Sequence, residues 1–219
     1  MLVIFDVDGT IVDSQELIVA AQRTAFEAHG LTPPDRRASL SIVGLSLPEA
    51  FTVLAGPDGP VEALIGSYTE AFRALLASPA YQEPLFPGAG ETIAWLNGRP
   101  DIVLGIATGK SRRGVARLVG RYGWEGIFAT IQTADDAPSK PHPGMILRAL
   151  AETGTDPSRA VMIGDSTFDM TMARAAGIGA IGVTWGYHAP QALLDAGAQA
   201  MVGSYAELRR HLDSVLEPA

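Results

Sequence analysis

Apolar positions along the chain fall into two patterns. Residues 2–5, 102–107, 160–163 and 180–184 are nearly continuous apolar runs, without alternating polar positions. A strand with one wet face alternates, so these unbroken runs predict strands covered on both faces, as in a parallel sheet. Between the runs the apolar spacing changes to about 3.6 residues. Val115, Leu118, Val119 and Tyr122 fall on one helical face, with Gly123 placed to stop the helix. Ile146, Ala149, Leu150 and Thr153 repeat the spacing, opened by Pro143 and closed by Gly154. Strands and helices in alternation predict a doubly wound, Rossmann-like α/β domain on a parallel sheet.

Residues 14–84 break this rhythm. Asp13 is the predicted N-cap of a helix that runs to Gly30, with Glu16 three residues on. Further helices are predicted over about 48–55 and 61–77, separated by the breakers Gly56-Pro57-Asp58-Gly59-Pro60. No strand pattern occurs there. The predicted organisation is an all-helical module, residues 14–84, inserted into an α/β core of residues 1–13 and 85–219. The chain returns through Glu83-Pro84-Leu85-Phe86-Pro87-Gly88, and the two crossings make a natural hinge.

Composition narrows the function classes. The 219 residues are 47% hydrophobic and 18% charged, which excludes a disordered chain and allows a sizeable core. Twenty-four acidic against sixteen basic side chains give a net charge of −8. A nucleic-acid backbone would be repelled, and basic residues cluster no further than pairs such as Arg36-Arg37 and Arg112-Arg113. The absence of cysteine removes disulfides, thiolate metal sites and cysteine nucleophiles, and fits a reducing compartment. The apolar start has no basic leader and is shorter than a signal-peptide core of about 7–15 residues. No apolar run approaches the roughly 18 residues of a membrane helix. The expectation is a cytoplasmic monomer or homodimer, with neither nucleic acid nor membrane as partner.

The chemistry gathers where the predicted strands end. The first run leads into Asp6-Val7-Asp8-Gly9-Thr10, two carboxylates at a spacing of two. In a parallel sheet, ligands collect outside the carboxyl ends of the strands. The second run leads into Thr108-Gly109-Lys110, a hydroxyl and backbone donors at a helix start, suited to an anion. A third ends Ile163-Gly164 and continues Asp165-Ser166-Thr167-Phe168-Asp169. Lys140 stands in Ser139-Lys140-Pro141-His142-Pro143, just before another helix. Each has a plainer reading when taken alone. Asp-Gly is common turn chemistry, and Thr108 reads as an N-cap. Asp169 lies at capping-box spacing from Ser166, Asp165 would serve a helix dipole, and Lys140 would be a solvated lysine. Those readings do not explain why four such groups share one sheet edge.

The ordered set Asp6-x-Asp8-Gly-Thr, Thr108, Lys140 and Gly164-Asp165-x-x-x-Asp169 resembles the haloacid dehalogenase superfamily, specifically its phosphatases with a helical cap. The resemblance spans nearly the whole chain, and the segments around these motifs, together with residues 182–187, look most like phosphoglycolate phosphatases. It implies Asp6 as a nucleophile that forms an aspartyl phosphate, and Asp8 as general acid and base. It implies Thr108, Gly109 and Lys140 as phosphate-binding groups. It also implies a metal held by Asp6, the backbone carbonyl of Asp8 and Asp165, supported by Asp169. Four carboxylates against one Lys140 would repel a phosphate dianion by several kcal/mol in a low-dielectric cleft. A hard cation answers that repulsion, and all-oxygen ligation points to Mg²⁺. The implied substrate is a small phosphorylated metabolite, phosphoglycolate first among them.

Several other signals are set aside. Gly177-Ile178-Gly179-Ala180-Ile181-Gly182 matches GxGxxG but follows a helix and enters a strand, the reverse of a dinucleotide site. Residues 105–111 read GxxxGKS, one short of a Walker A loop. His142 and His188 have no partner at metal-ligand spacing and are read as structural or surface groups, while Trp95 and Trp124 are read as core. A dehalogenase has no use for an acid at Asp8, because halide leaves without a proton. A phosphoglucomutase-like enzyme or a pyrophosphatase shares the core chemistry and stays open. A non-enzymatic receiver-type phospho-acceptor is the alternative from another class, and Asp8 and the inserted module argue against it. The module is expected to set specificity, through the loop Gly44-Leu45-Ser46-Leu47-Pro48-Glu49 and, more weakly, through Arg36 and Arg37.

Overall fold

A computed structural model describes residues 1–216. Its described residues form a six-stranded, wholly parallel sheet in the order β3-β2-β1-β4-β5-β6. The strands are β1 (Leu2–Phe5), β2 (Val103–Ala107), β3 (Phe128–Gln132), β4 (Ala160–Gly164), β5 (Gly179–Val183) and β6 (Ala200–Val202). The chain winds outward from β1 to one edge, then returns and winds from β4 to the other, so the strand order reverses between β1 and β4. Such a switch point is where doubly wound sheets bind ligands.

The predicted runs are the four inner strands. β1 and β4 are buried at every position, as apolar runs without alternation require. Both edge strands escaped the pattern for physical reasons. β3 exposes Ala129 between buried neighbours, and β6 is three residues long.

Helices cover both faces. Val3 and Phe5 pack against α5 (Ala89–Asn97), α6 (Arg112–Tyr122) and α10 (Tyr205–Leu216) through Ile93, Val115, Leu118 and Leu208. Leu2 and Ile4 look the other way, towards α7 (Gly144–Thr153), α8 (Thr167–Ala176) and α9 (Pro190–Ala196), through Met145, Ile146, Met170 and Leu193. Each such aliphatic side chain contributes about 1.5–3 kcal/mol on burial. Two helix stops fall at the predicted glycines, Gly123 and Gly154, and Gly177 makes a third of the same kind. Gly123, Gly154 and Gly177 adopt left-handed conformations at the ends of α6, α7 and α8.

Between β1 and α5 lie α1 (Gln15–Ala28), α2 (Arg36–Ser41), α3 (Leu47–Ala55) and α4 (Val61–Leu76). They hold a core of their own, in which Phe51 stacks on Phe26 and meets Tyr68 edge-on at 5.4 Å between ring centres. The N-cap of α1 is Ser14, not Asp13, and the helix ends at Ala28 rather than at Gly30. Ser14 gives α1 no side-chain cap because its hydroxyl is committed to Asp8. The six-residue α2 went unpredicted. It is started by Asp35, whose carboxylate accepts from the Ala38 amide.

The chain enters and leaves this helical segment side by side. Val12 and Leu85 form an antiparallel bridge, with Asp13 N donating to Pro84 O and Phe86 N to Ile11 O. No helix among the described residues is long and apolar enough to cross a membrane.

Candidate active site

Three neighbouring strands leave the sheet at one level. Phe5 pairs with Ile106 on one side and Ile163 on the other, so Asp6, Thr108 and Asp165 emerge together over the switch point. Asp6 is buried, and its Oδ1 accepts from the Val7 amide at 2.7 Å and pairs with Lys140 Nζ at 3.0 Å. Its Oδ2 is also buried but has no hydrogen-bond partner among the described residues. Lys140, 1% exposed, reaches across from the loop before α7 and donates to Asp169 Oδ1 at 2.6 Å. His142 in that loop accepts from the Gly144 amide through Nδ1, a shaping role consistent with its structural reading.

Asp169 serves two structures at once. Its Oδ2 accepts from the Ser166 amide and hydroxyl, which closes a capping box at the start of α8. Its Oδ1 is left for Lys140. Asp165 accepts from the Thr10 hydroxyl at 3.0 Å and from the Tyr187 amide at 2.9 Å. Gly9 lies in the left-handed region at φ 83°, and a Cβ there would stand 2.3 Å from the Asp165 carboxylate. That close approach explains the glycine after Asp8.

Oxygen atoms of Asp6, Asp165 and Asp169 lie within 4.8 Å of one another. Burial raises the Asp6 pKa to about 7, with repulsion from Asp169 adding to it and Lys140 opposing it. Burial likewise holds Asp165 well above the usual carboxylate range, helped by Asp6 and Asp169. Three buried carboxylates facing one ammonium, with one oxygen unpartnered, make an all-oxygen donor set that fits a hard divalent cation.

Asp8 stands apart from that triple. Its Oδ1 accepts from Ser14 Oγ at 2.7 Å, and Lys110 Nζ bridges both its oxygens at 2.8 and 3.0 Å. Lys110 donates in turn to Glu83 at 2.9 Å, and Arg117 pairs with the other oxygen of Glu83. Glu83 is fully buried. Burial pulls the Lys110 pKa down, but Asp8 and Glu83 more than offset it, so the net shift is upward. Sequence reading missed both Lys110 and Glu83 as parts of the site. Only the fold brings together residues 27 positions apart, though a lysine following Thr-Gly at a strand end was a usable signal.

Thr108 does not cap α6. That position belongs to Ser111, which accepts from the Gly114 amide. The Thr108 hydroxyl instead accepts from the Lys110 amide at 3.2 Å. Asp6, Asp8, Thr108, Gly109 and Lys110 all line one cavity of about 670 Å³, closed from above by α1, α3, α4 and the predicted loop at residues 44–48. A Cβ on Gly109 would come within 2.5 Å of the Gly44 and Leu45 carbonyl oxygens, so only glycine fits beneath that loop. The Ser46 amide ties it down further by donating to Ser139 Oγ at 2.8 Å. Arg36 and Arg37, by contrast, are absent from the cavity lining. Arg36 is spent on Gln15 and Glu16 at the surface, which corrects the expectation of a substrate-binding role.

Comparison with known proteins agrees with this geometry. Residues 3–183 match the family of haloacid dehalogenase-like hydrolases. The chain is similar to "Probable phosphatase IndB" of Dickeya dadantii (39% identical, covering 94% of this chain and 91% of that protein). It is also similar to a phosphoglycolate phosphatase of Agrobacterium fabrum (32% identical, covering 85% and 81%). Among solved structures, a hydrolase from Pseudomonas syringae superposes with a TM-score of 0.87 at 26% identity, over 99% of this chain and 100% of that one.

Proposed function

The chain belongs to the haloacid dehalogenase-like hydrolases and is a phosphatase of that family, and from that premise we propose that it hydrolyses small phosphate monoesters through an aspartyl phosphate on Asp6, with Mg²⁺ as cofactor. The observation that carries this reading is the buried, unpartnered Asp6 Oδ2 beside Asp165, Asp169 and Lys140.

Asp6 attacks phosphorus as the bond to the leaving oxygen breaks, and Asp8 gives that oxygen its proton. Asp8, now a carboxylate, takes a proton from the water that attacks the same phosphorus, releasing phosphate and restoring Asp6. Thr108, Gly109 and Lys140 hold the phosphoryl oxygens, so positioning and charge do most of the work. Asp6, Asp165 and the Asp8 carbonyl would hold Mg²⁺, with Asp169 in support. When bound, the ion supplies the positive charge that lets a carboxylate approach a phosphate dianion.

In this division of labour, residues 1–13 and 85–219 perform phosphoryl transfer and residues 14–84 choose the ester. The cysteine-free composition suits a cytoplasmic setting and a soluble metabolite. Phosphoglycolate is the reference ester because three of the similar proteins carry that activity in their names. Asp8 argues against a receiver-type signalling domain, since a lasting phospho-state gains nothing from an adjacent base.

Steady-state hydrolysis of 4-nitrophenyl phosphate tests the proposal. Asp6→Asn is expected to lose about 10³-fold or more in kcat, and chelation to abolish turnover reversibly. Retained activity in the variant, or indifference to chelator, overturns the reading.

A further inference from the structure

The cavity over the sheet edge is larger and more apolar than phosphoryl transfer alone requires. Its volume of about 670 Å³ lies in the range of roughly 300–1,000 Å³ that takes drug-sized ligands. Above the polar floor its walls are Ile18, Leu45, Phe51, Ile65, Tyr68 and Phe72. A two-carbon glycolate would leave most of that surface uncovered.

The distribution of cations points the same way. Lys110 and Arg117 line the cavity, but Asp8 and Glu83 already engage them. Among the described residues, that leaves no unpaired buried cation in the lining to receive a glycolate carboxylate. Arg73 and Arg113 carry no ion pair, yet both are exposed at the rim, where salt screens them.

One polar group interrupts the apolar walls. Gln22, 2% exposed, lines the cavity from α1. Its Nε2 donates to Ser39 O at 3.4 Å, while its Oε1 has no partner among the described residues. An unmet buried amide is costly, and a ligand N–H or O–H would relieve it.

Resting on the phosphatase reading above, we infer that the leaving group is an uncharged, ring-bearing alcohol, apolar over most of its surface, with a hydrogen-bond donor for the Gln22 amide. A small hydroxy acid does not match this chamber. Filling an apolar pocket by even one methylene changes kcat/KM by about 10-fold or more, so a ring should dominate the preference.

The test compares kcat/KM, with Mg²⁺ present, for ethyl phosphate, phosphoglycolate, 2-phenylethyl phosphate and 2-(indol-3-yl)ethyl phosphate. All four are alkyl esters, so leaving-group acidity does not drive the differences. Both ring esters are expected to exceed phosphoglycolate by about 30-fold or more. Gln22→Leu is expected to lower the indole-to-phenyl ratio by about 10-fold, and Gln22→Met serves if the leucine variant fails to fold. Phosphoglycolate equal to or better than the ring esters overturns the size and polarity assignment. An unchanged indole-to-phenyl ratio overturns the role of Gln22. Failure to hydrolyse any of the four, together with 4-nitrophenyl phosphate, defeats the phosphatase reading itself.

Discussion

Asp8 differs from Asp6, two positions earlier, chiefly in what holds it. Asp6 faces other carboxylates and one lysine, whereas Asp8 is gripped by Ser14 and Lys110. Lys110, itself held by Glu83, fixes where the Asp8 carboxyl group stands. Removing the ammonium would leave Asp8 loosely held and would leave the buried Glu83 with Arg117 alone. Lys110→Met is therefore expected to lower kcat by about 10- to 100-fold and to cost about 3 kcal/mol of stability. Steady-state rates and urea denaturation midpoints check both effects. Wild-type kcat in a destabilised protein would assign Lys110 to the scaffold alone. Of this grip only the Thr-Gly-Lys order at a strand end was readable in the sequence, because a lone glutamate such as Glu83 defaults to a solvated surface group.

At the scale of elements, helix starts carry the site. α8 begins in a capping box whose acidic member also meets Lys140, so a local folding signal and a reactive centre share one side chain. α6 begins with an ordinary cap at Ser111. Ser111→Ala and Ser166→Ala are both expected to cost about 1 kcal/mol in denaturant unfolding. Only Ser166→Ala should also reduce kcat, since it frees Asp169 to turn away from Lys140. Equal kcat in the two variants would separate the cap from the chemistry. The capping spacing was legible in the sequence, and so were the inner strands, whose apolar runs need no tertiary information. The edge strand β3 and the six-residue α2 were not. One half-faces water, and the other is too short to show a period.

Across the whole molecule, the burial of like charges sets how stability responds to pH. The Asp6 pKa lies at about 7 in the fold, burial being the main cause, against about 3.9 in an unfolded chain. The folded state thus keeps a proton that the unfolded state has released, and this contribution to stability declines as pH rises between those values. Asp165 is displaced in the same direction. The metal-free protein is expected to melt lower at about pH 8 than at about pH 5, with a gentler slope in Asp6→Asn. Mg²⁺ should flatten the wild-type slope by taking the proton's place. Calorimetry in chelator and in Mg²⁺ checks this, and identical slopes in all three samples would count against a cation among these carboxylates.

The paired main-chain bonds at Asp13–Pro84 and Ile11–Phe86 have a consequence of their own. Because the strands entering and leaving the four-helix segment run abreast, its severed ends could be joined by a tight turn without rethreading the sheet. The segment can therefore be traded for a differently shaped lid, as a lens is changed on a camera body, with the phosphoryl chemistry beneath left in register.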